Sequence, residues 1–384
     1  MQDTPEFAQM QTFLFPFLAS LLFIAMHIVI YFLLVRRISS RRALCRIYSI
    51  ILWVNMCFCV VYMFMRSYIV APKWLFMIVS VSVGVAFSFL IAALIAALIG
   101  ICLWFFKKKH LQPRIKRYIL FLCFIYTAYA IYHGLEDPKV ERLAIELPKL
   151  SKPLKVIQLS DIHIGGLIDD ERVAKIVFLV NQENPDIIAI TGDLVDTKLQ
   201  NALSSLHILQ GLRATYGTYY VLGNHEYIHD VDDILKAIQK TGIKVLINES
   251  ITLPNLINIA GSADLMGSRV KFLEPDFEAT FSKIDSSLPT LFLTHQPKII
   301  EIIDPKLLQK ADFLLTGHTH GGQIFPFSLA VLFQQPYLKG LHRISSGAYI
   351  YVSEGAGFWG PPMRAFSDST ITLFDFLPQH TKPN

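Results

Sequence analysis

Residues 317–325 read Gly-His-Thr-His-Gly-Gly-Gln-Ile-Phe, and they follow the short run 312–316, Asp-Phe-Leu-Leu-Thr. A short, largely apolar run that ends at glycine reads as a buried β-strand. His318 and His320 stand two residues apart, so in extended backbone both imidazoles would project the same way and could grip one ion. The pattern recurs four times upstream. Leu154–Leu159 runs into Ser160, Asp161, Ile162 and His163, and 186–191 into Gly192 and Asp193. Likewise 218–222 runs into Gly223, Asn224, His225 and Glu226, and 290–294 ends at His295. Residues 171–184, between the first two runs, carry helical periodicity. The alternation predicts an α/β domain with every polar cluster at the C-terminal end of a strand, where open α/β sheets gather their ligands. A lone Asp-x-His is usually a surface pair; five such clusters in order are a site.

The donor types suit metal ions. The candidate ligands are Asp161, His163, Asp193, Asn224, His295, His318 and His320. A carboxylate such as Asp193 can bridge two cations roughly 3.5–4 Å apart, the spacing used for in-line displacement at phosphorus. Imidazoles outnumber carboxylates, which favours Mn, Fe, Zn, Ni or Co over Mg or Ca. Two divalent ions, two carboxylates and one bridging hydroxide leave the site at about +1, attractive to an anionic phosphoester, and metal binding lowers the pKa of water from 15.7 towards about 7. His225, beside the ligand Asn224, is the expected catalytic residue, placed to protonate a leaving oxygen or to stabilise phosphoryl charge. Glu226 either orients a ligand imidazole or faces solvent. Asp196 reads as a cap for the following helix. His207, His229 and His342 read as ordinary solvated or structural histidines.

Taken in this order, the clusters resemble the calcineurin-like metallophosphoesterase superfamily over nearly all of 154–320, with no ligand position departing from its pattern. The resemblance implies a four-layer αββα sandwich. It also implies Asp161, His163 and His320 on one ion, Asn224, His295 and His318 on the other, and Asp193 bridging. The strings 317–325 and 355–364 (GAGFWGPPMR) are similar to a bacterial membrane-associated subgroup, whose substrates are phosphodiesters or, in one branch, the pyrophosphate of a nucleotide-linked acylated sugar. Residues 355–364 make either a structural turn or a rim on the site. In the rim, Arg364 would bind a phosphate oxygen, and Phe358 and Trp359 would touch an apolar group or the membrane surface.

The N-terminal part belongs to another solvent. Uncharged stretches predict four transmembrane spans, about 12–35, 47–65, 76–106 and 117–135. The fourth would span only barely; lying on the surface instead would put the domain in the cytoplasm. Residues 1–135 are thus expected as an anchor region, 136–153 as linker and first strand, and 154–384 as the metallophosphoesterase domain. The first stretch is too long for a cleaved signal peptide, and Asp3 and Glu6 precede it. Arginines 36, 37, 41, 42 and 46 crowd one connection, and Lys107, Lys108, Lys109, Arg114, Lys116 and Arg117 another. Both are expected inside, which leaves the catalytic domain of this multi-pass inner-membrane protein extracytoplasmic. The same clusters account for much of the net charge of +5, so a bilayer and not nucleic acid is the expected partner. His27 and Asn55 are the obvious polar residues inside the spans, expected to bond across helices. All five cysteines precede residue 124, which removes cysteine chemistry from the catalytic domain. The competing function is a catalytically silent metal-binding sensor or scaffold in the membrane.

Overall fold

The computed structural model describes residues 6–68 and 71–379; Asp3 and residues 380–384 lie outside them. The chain forms two compact units. One comprises Gln9–Leu135 together with Gly360–Arg364, and the other comprises Glu136–Trp359 and the residues from Ala365 onward.

Four long helices build the first unit: α1 (Glu6–Ile30), α2 (Arg42–Tyr68), α3 (Lys73–Phe105) and α4 (Gln112–Leu135). Each, with its flanking residues, is long and apolar enough to cross a membrane, the fourth included. Polar groups inside them find partners. The Asn55 Nδ2 lies 3.1 Å from His27 Nε2 and donates to the Ser82 carbonyl at 3.1 Å, tying three helices together. The segment Gly360–Arg364 packs into this unit. A Cβ on Gly134 would stand 2.6 Å from the Pro362 carbonyl, and the Arg364 N–H donates to the Ala130 carbonyl.

The second unit contains two six-stranded sheets. The first has β1 (Lys139–Leu147), β2 (Leu154–Leu159), β3 (Ile187–Thr191), β4 (Thr218–Val221), β5 (Lys244–Val245) and β12 (Thr370–Pro378), in the order β1-β12-β2-β3-β4-β5. The second has β6 (Glu249–Leu253), β7 (Ile257–Gly261), β8 (Thr290–Leu293), β9 (Phe313–Thr316), β10 (Gly340–Arg343) and β11 (Tyr349–Val352), in the order β10-β11-β9-β8-β7-β6. Residues 136–153 contain the strand β1. β1 pairs with β12 along all of Lys139–Leu147, which makes it an edge strand of the domain proper.

Alternation along the strands divides two cores. Val156, Ala189, Tyr219 and Val221 of the first sheet meet Ile259, Leu291, Phe313 and Leu315 of the second in one fully buried cluster between the sheets. The opposite faces are buried as well. Ala260, Phe292, Leu314 and Ile350 pack beneath Ile299, Ile303 and Leu307, close to α10 (Pro305–Leu308). Ile157, Ile188 and Ile190 turn outward yet are fully buried, as are the apolar faces of α5 (Asp170–Gln182), α6 (Leu199–Ile208) and α7 (Val231–Lys240). Strands covered on both sides read as near-continuous apolar runs, which is why their sequence signal was plain. The result is a four-layer αββα sandwich, preceded in the sequence by four candidate membrane spans. Short helices α8 (Met266–Val270), α9 (Phe277–Thr280) and α11 (Phe327–Leu332) lie in the connections of the second half.

Candidate metal centre

β2, β3 and β4 run parallel in one sheet, and β8 and β9 run parallel in the other. Their C-terminal ends deliver Asp161, Asp193, Asn224, His295 and His318 to one place. Donor atoms of Asp161, His163 and His320 lie within 4.8 Å of one another, as do those of Asp193, His295 and His318. A third group, His163, Asp193 and His225, connects them. Asn224 joins through its Oδ1, 3.1 Å from His295 Nε2. All seven ligand candidates therefore converge, with His225 among them.

The local backbone differs from the expected extended pairs. Asp161 (φ 52°), His163 (φ 55°), Asp193 (φ 49°), His318 (φ 71°) and His320 (φ 51°) are all left-handed, so they project from tight turns just past the strands. Such conformations are costly for residues with a Cβ and persist where the surroundings over-determine them. Here the surroundings do so by hydrogen bonds: Asp161 N–H to the Gly192 carbonyl, His163 N–H to the Asp193 carbonyl, and His318 N–H to the Asp161 carboxylate at 3.0 Å. Neighbouring glycines make room. A Cβ on Gly317 would stand 2.3 Å from Asp161 Oδ2, and one on Gly223 would stand 2.2 Å from Asp193 Oδ1.

The electrostatics fit divalent cations. Two histidine nitrogens, His163 Nε2 and His320 Nε2, face each other at 3.0 Å. His295 places Nδ1 2.8 Å from the Thr191 carbonyl, which leaves Nε2 aimed at Asp193 Oδ2, 3.2 Å away. Burial would lower the His295 pKa, but Asp193, Asp161 and Asp264 together hold it well above the usual imidazole range. The cluster thus draws positive charge to its centre. Burial and the charge on His295 depress His318 to about 3, keeping it in the neutral, ligating form. Burial resists ionisation of Asp193, yet His295, His225 and His163 outweigh it and hold the carboxyl well below its ordinary value. Asp161, pushed up to about 6 by burial and by Asp193, is the harder carboxyl to ionise.

Two roles escaped the sequence. Asp196 does not cap a helix: α6 begins at Leu199 behind Lys198, without a side-chain cap. Instead Asp196 Oδ1 lies 2.7 Å from His225 Nδ1, while His225 Nε2 points inward, 3.9 Å from Asp193 Oδ2. His229, which read as an ordinary histidine, also lies 3.7 Å from Asp196. Glu226 neither faces solvent nor holds an imidazole. It is fully buried and accepts the backbone N–H groups of Leu194 (2.7 Å), Gly223 (2.9 Å), Val195 (3.0 Å) and Asp193 (3.2 Å), fastening two ligand turns together. The signal for both was present, since Asp196 follows Asp193 by three residues and Glu226 follows His225 directly.

The loop at 355–364 divides. Trp359, 38% exposed, presents its ring edge-on to His225 with centroids 6.1 Å apart, and Gln323 bonds both its N–H and its carbonyl. Phe358 is buried. Arg364 is fully buried and belongs to the segment grouped with the helices.

Comparison with known proteins agrees with this chemistry. Residues 154–322 match the family described as calcineurin-like phosphoesterase. An uncharacterized metallophosphoesterase of Helicobacter pylori is 41% identical over 276 residues, covering 71% of this chain and 73% of the relative. One from Campylobacter jejuni is 39% identical over 253 residues, covering 65% and 67%. A Danio rerio protein named as a transmembrane protein with metallophosphoesterase domain is 31% identical over 267 residues, covering 66% and 60%. The chain belongs to the calcineurin-like metallophosphoesterases: it is a phosphoester hydrolase with buried metal-ligand groups and four helices long and apolar enough to cross a membrane.

Proposed function

We propose that the protein hydrolyses a phosphodiester or pyrophosphate carried by a lipid or cell-envelope precursor, at the outer face of the inner membrane. The convergence of seven donors on a centre that His225 also faces carries this reading. Asp161, His163 and His320 would hold one ion, Asn224, His295 and His318 the other, with Asp193 between them. The donor set favours Mn, Fe, Zn, Ni or Co. When bound, such ions would supply charge to the phosphoryl oxygens and lower the pKa of water in the site.

The chain's own groups do the rest. Asp196 holds the Nδ1 side of His225, so that Nε2 can give its proton to the leaving oxygen. The carboxylate also steadies the imidazolium before that transfer. The outward orientation rests on the basic connections, which favour the cytoplasm, and on an even number of candidate spans.

The test uses the full chain in nanodiscs, loaded with Mn, on bis(4-nitrophenyl) phosphate. His225→Gln should lower turnover by about 10²- to 10⁴-fold, the usual contribution of a positioned proton donor. Unchanged turnover would remove His225 from the mechanism. Full metal occupancy with no hydrolysis of any phosphoester would instead indicate the silent sensor or scaffold.

A further inference from the structure

The loop that carries His318 and His320 continues into residues 321–338, which contain no Asp, Glu, Lys or Arg. Within it α11 (Phe327–Leu332) buries none of its residues. Phe327, Leu329, Leu332 and Phe333 are exposed, Phe333 at 92%. Phe325 and Phe366 extend the surface with rings 5.7 Å apart, edge to face, at 46% and 71% exposure. Six large apolar side chains on one uncharged stretch and its neighbour are unlike the scattered exposed leucines of an ordinary water-facing surface.

The patch is fixed to the site. A Cβ on Gly322 would stand 2.3 Å from Ser328 Cβ, so the turn that follows His320 packs directly on the start of α11. Ile324 bridges to Ala365 beside Phe366, and Gln323 holds Trp359 next to His225. Whatever covers the patch therefore lies beside the metal centre.

We propose that this surface docks on the headgroup and acyl boundary of a phospholipid bilayer, presenting the metal centre to phosphoesters that reside in the membrane. The proposal rests on the phosphoesterase reading for its substrate. A short helix with exposed Phe and Leu and no charge of its own fits the interfacial zone. The same chain carries four candidate membrane spans, and only residues 136–138 separate α4 from β1. A bilayer is thus always the apolar phase at hand, without the concentration dependence of a second copy.

The experiment places a photo-crosslinking benzoylphenylalanine at position 333 of the full chain in nanodiscs of phosphatidylethanolamine and phosphatidylglycerol. The control position is Phe178, an exposed phenylalanine on α5 outside the patch. Lipid adducts at 333, absent at 178 and lost when Leu329→Asp and Phe327→Asp are added, are the expected result. No lipid adduct at 333, equal adducts at both positions, or adducts only to a second protein chain would overturn the proposal. The same samples are assayed on bis(4-nitrophenyl) phosphate. Hydrolysis without lipid adducts defeats docking alone, whereas adducts without hydrolysis defeat the phosphoesterase reading alone.

Discussion

Asp196 Oδ1 lies 2.7 Å from Nδ1 of His225, and both side chains are nearly buried. A carboxylate in this position fixes the tautomer and raises the basicity of the imidazole. Asp196→Asn keeps the size and removes the charge, and it should lower kcat by about 10- to 100-fold with metal content intact. Equal turnover of variant and wild type, measured at matched metal occupancy, would remove Asp196 from the proton path.

Glu226 is a clamp on the backbone. Truncation in Glu226→Ala leaves four buried N–H groups without their acceptor. With roughly 1–3 kcal/mol for each such group, the loss should exceed about 3 kcal/mol. Thermal unfolding of the full chain in nanodiscs should show a lower midpoint and, because two of those groups belong to Asp193 and Gly223, weaker metal retention. Glu226→Gln, which keeps one carbonyl acceptor, should fall between. Unfolding and metal retention like the wild type in Glu226→Ala would contradict the clamp.

What the sequence made legible follows from burial. The strands at 154, 187, 218, 290 and 313 are covered on both faces and each ends two or three residues before a ligand, so run and polar terminus announced each other. The two-residue spacing of Asp161 and His163 was visible, but its cause was not. Left-handed turns, not an extended strand, aim these side chains, and backbone sign is not encoded in residue type at Asp or His. Asp196 and Glu226 were ambiguous because their partners are 29 residues away or are backbone groups.

The glycines at 223 and 317 test how closely the carboxylates are confined. Gly317→Ala puts a methyl 2.3 Å from Asp161 Oδ2 and 1.9 Å from Ser160 Oγ. Both must move, so the ion held by Asp161 should bind at least about tenfold more weakly, an effect of the size that outer-shell changes produce. Metal analysis after dialysis reads this directly. Retention of the full complement would show that the turn yields without cost.

Acid should weaken both ions, because each has a ligand whose proton a cation must displace. Asp161 is raised to about 6, so in the metal-free site it gains a proton as pH falls through that value, and a cation must then displace the proton to bind. His318, depressed to about 3, stays neutral over the same range. Affinity at the Asp161 ion should therefore fall by about tenfold per pH unit below pH 6, one proton per ion. At the other ion His295, held well above the usual imidazole range by Asp193, must likewise give up a proton, so Mn titrations at pH 7.5 and pH 5 should show weaker binding at both sites; affinity unchanged between the two pH values would contradict the account.

The most direct measurement of the central claim is metal stoichiometry against turnover. The full chain in nanodiscs is stripped with chelator and titrated with Mn while hydrolysis of bis(4-nitrophenyl) phosphate is followed. The dinuclear account predicts activity that requires two ions per chain, and Asp193→Asn that binds fewer than two and turns over at background. Full activity at one ion per chain, or undiminished activity in Asp193→Asn, would contradict it.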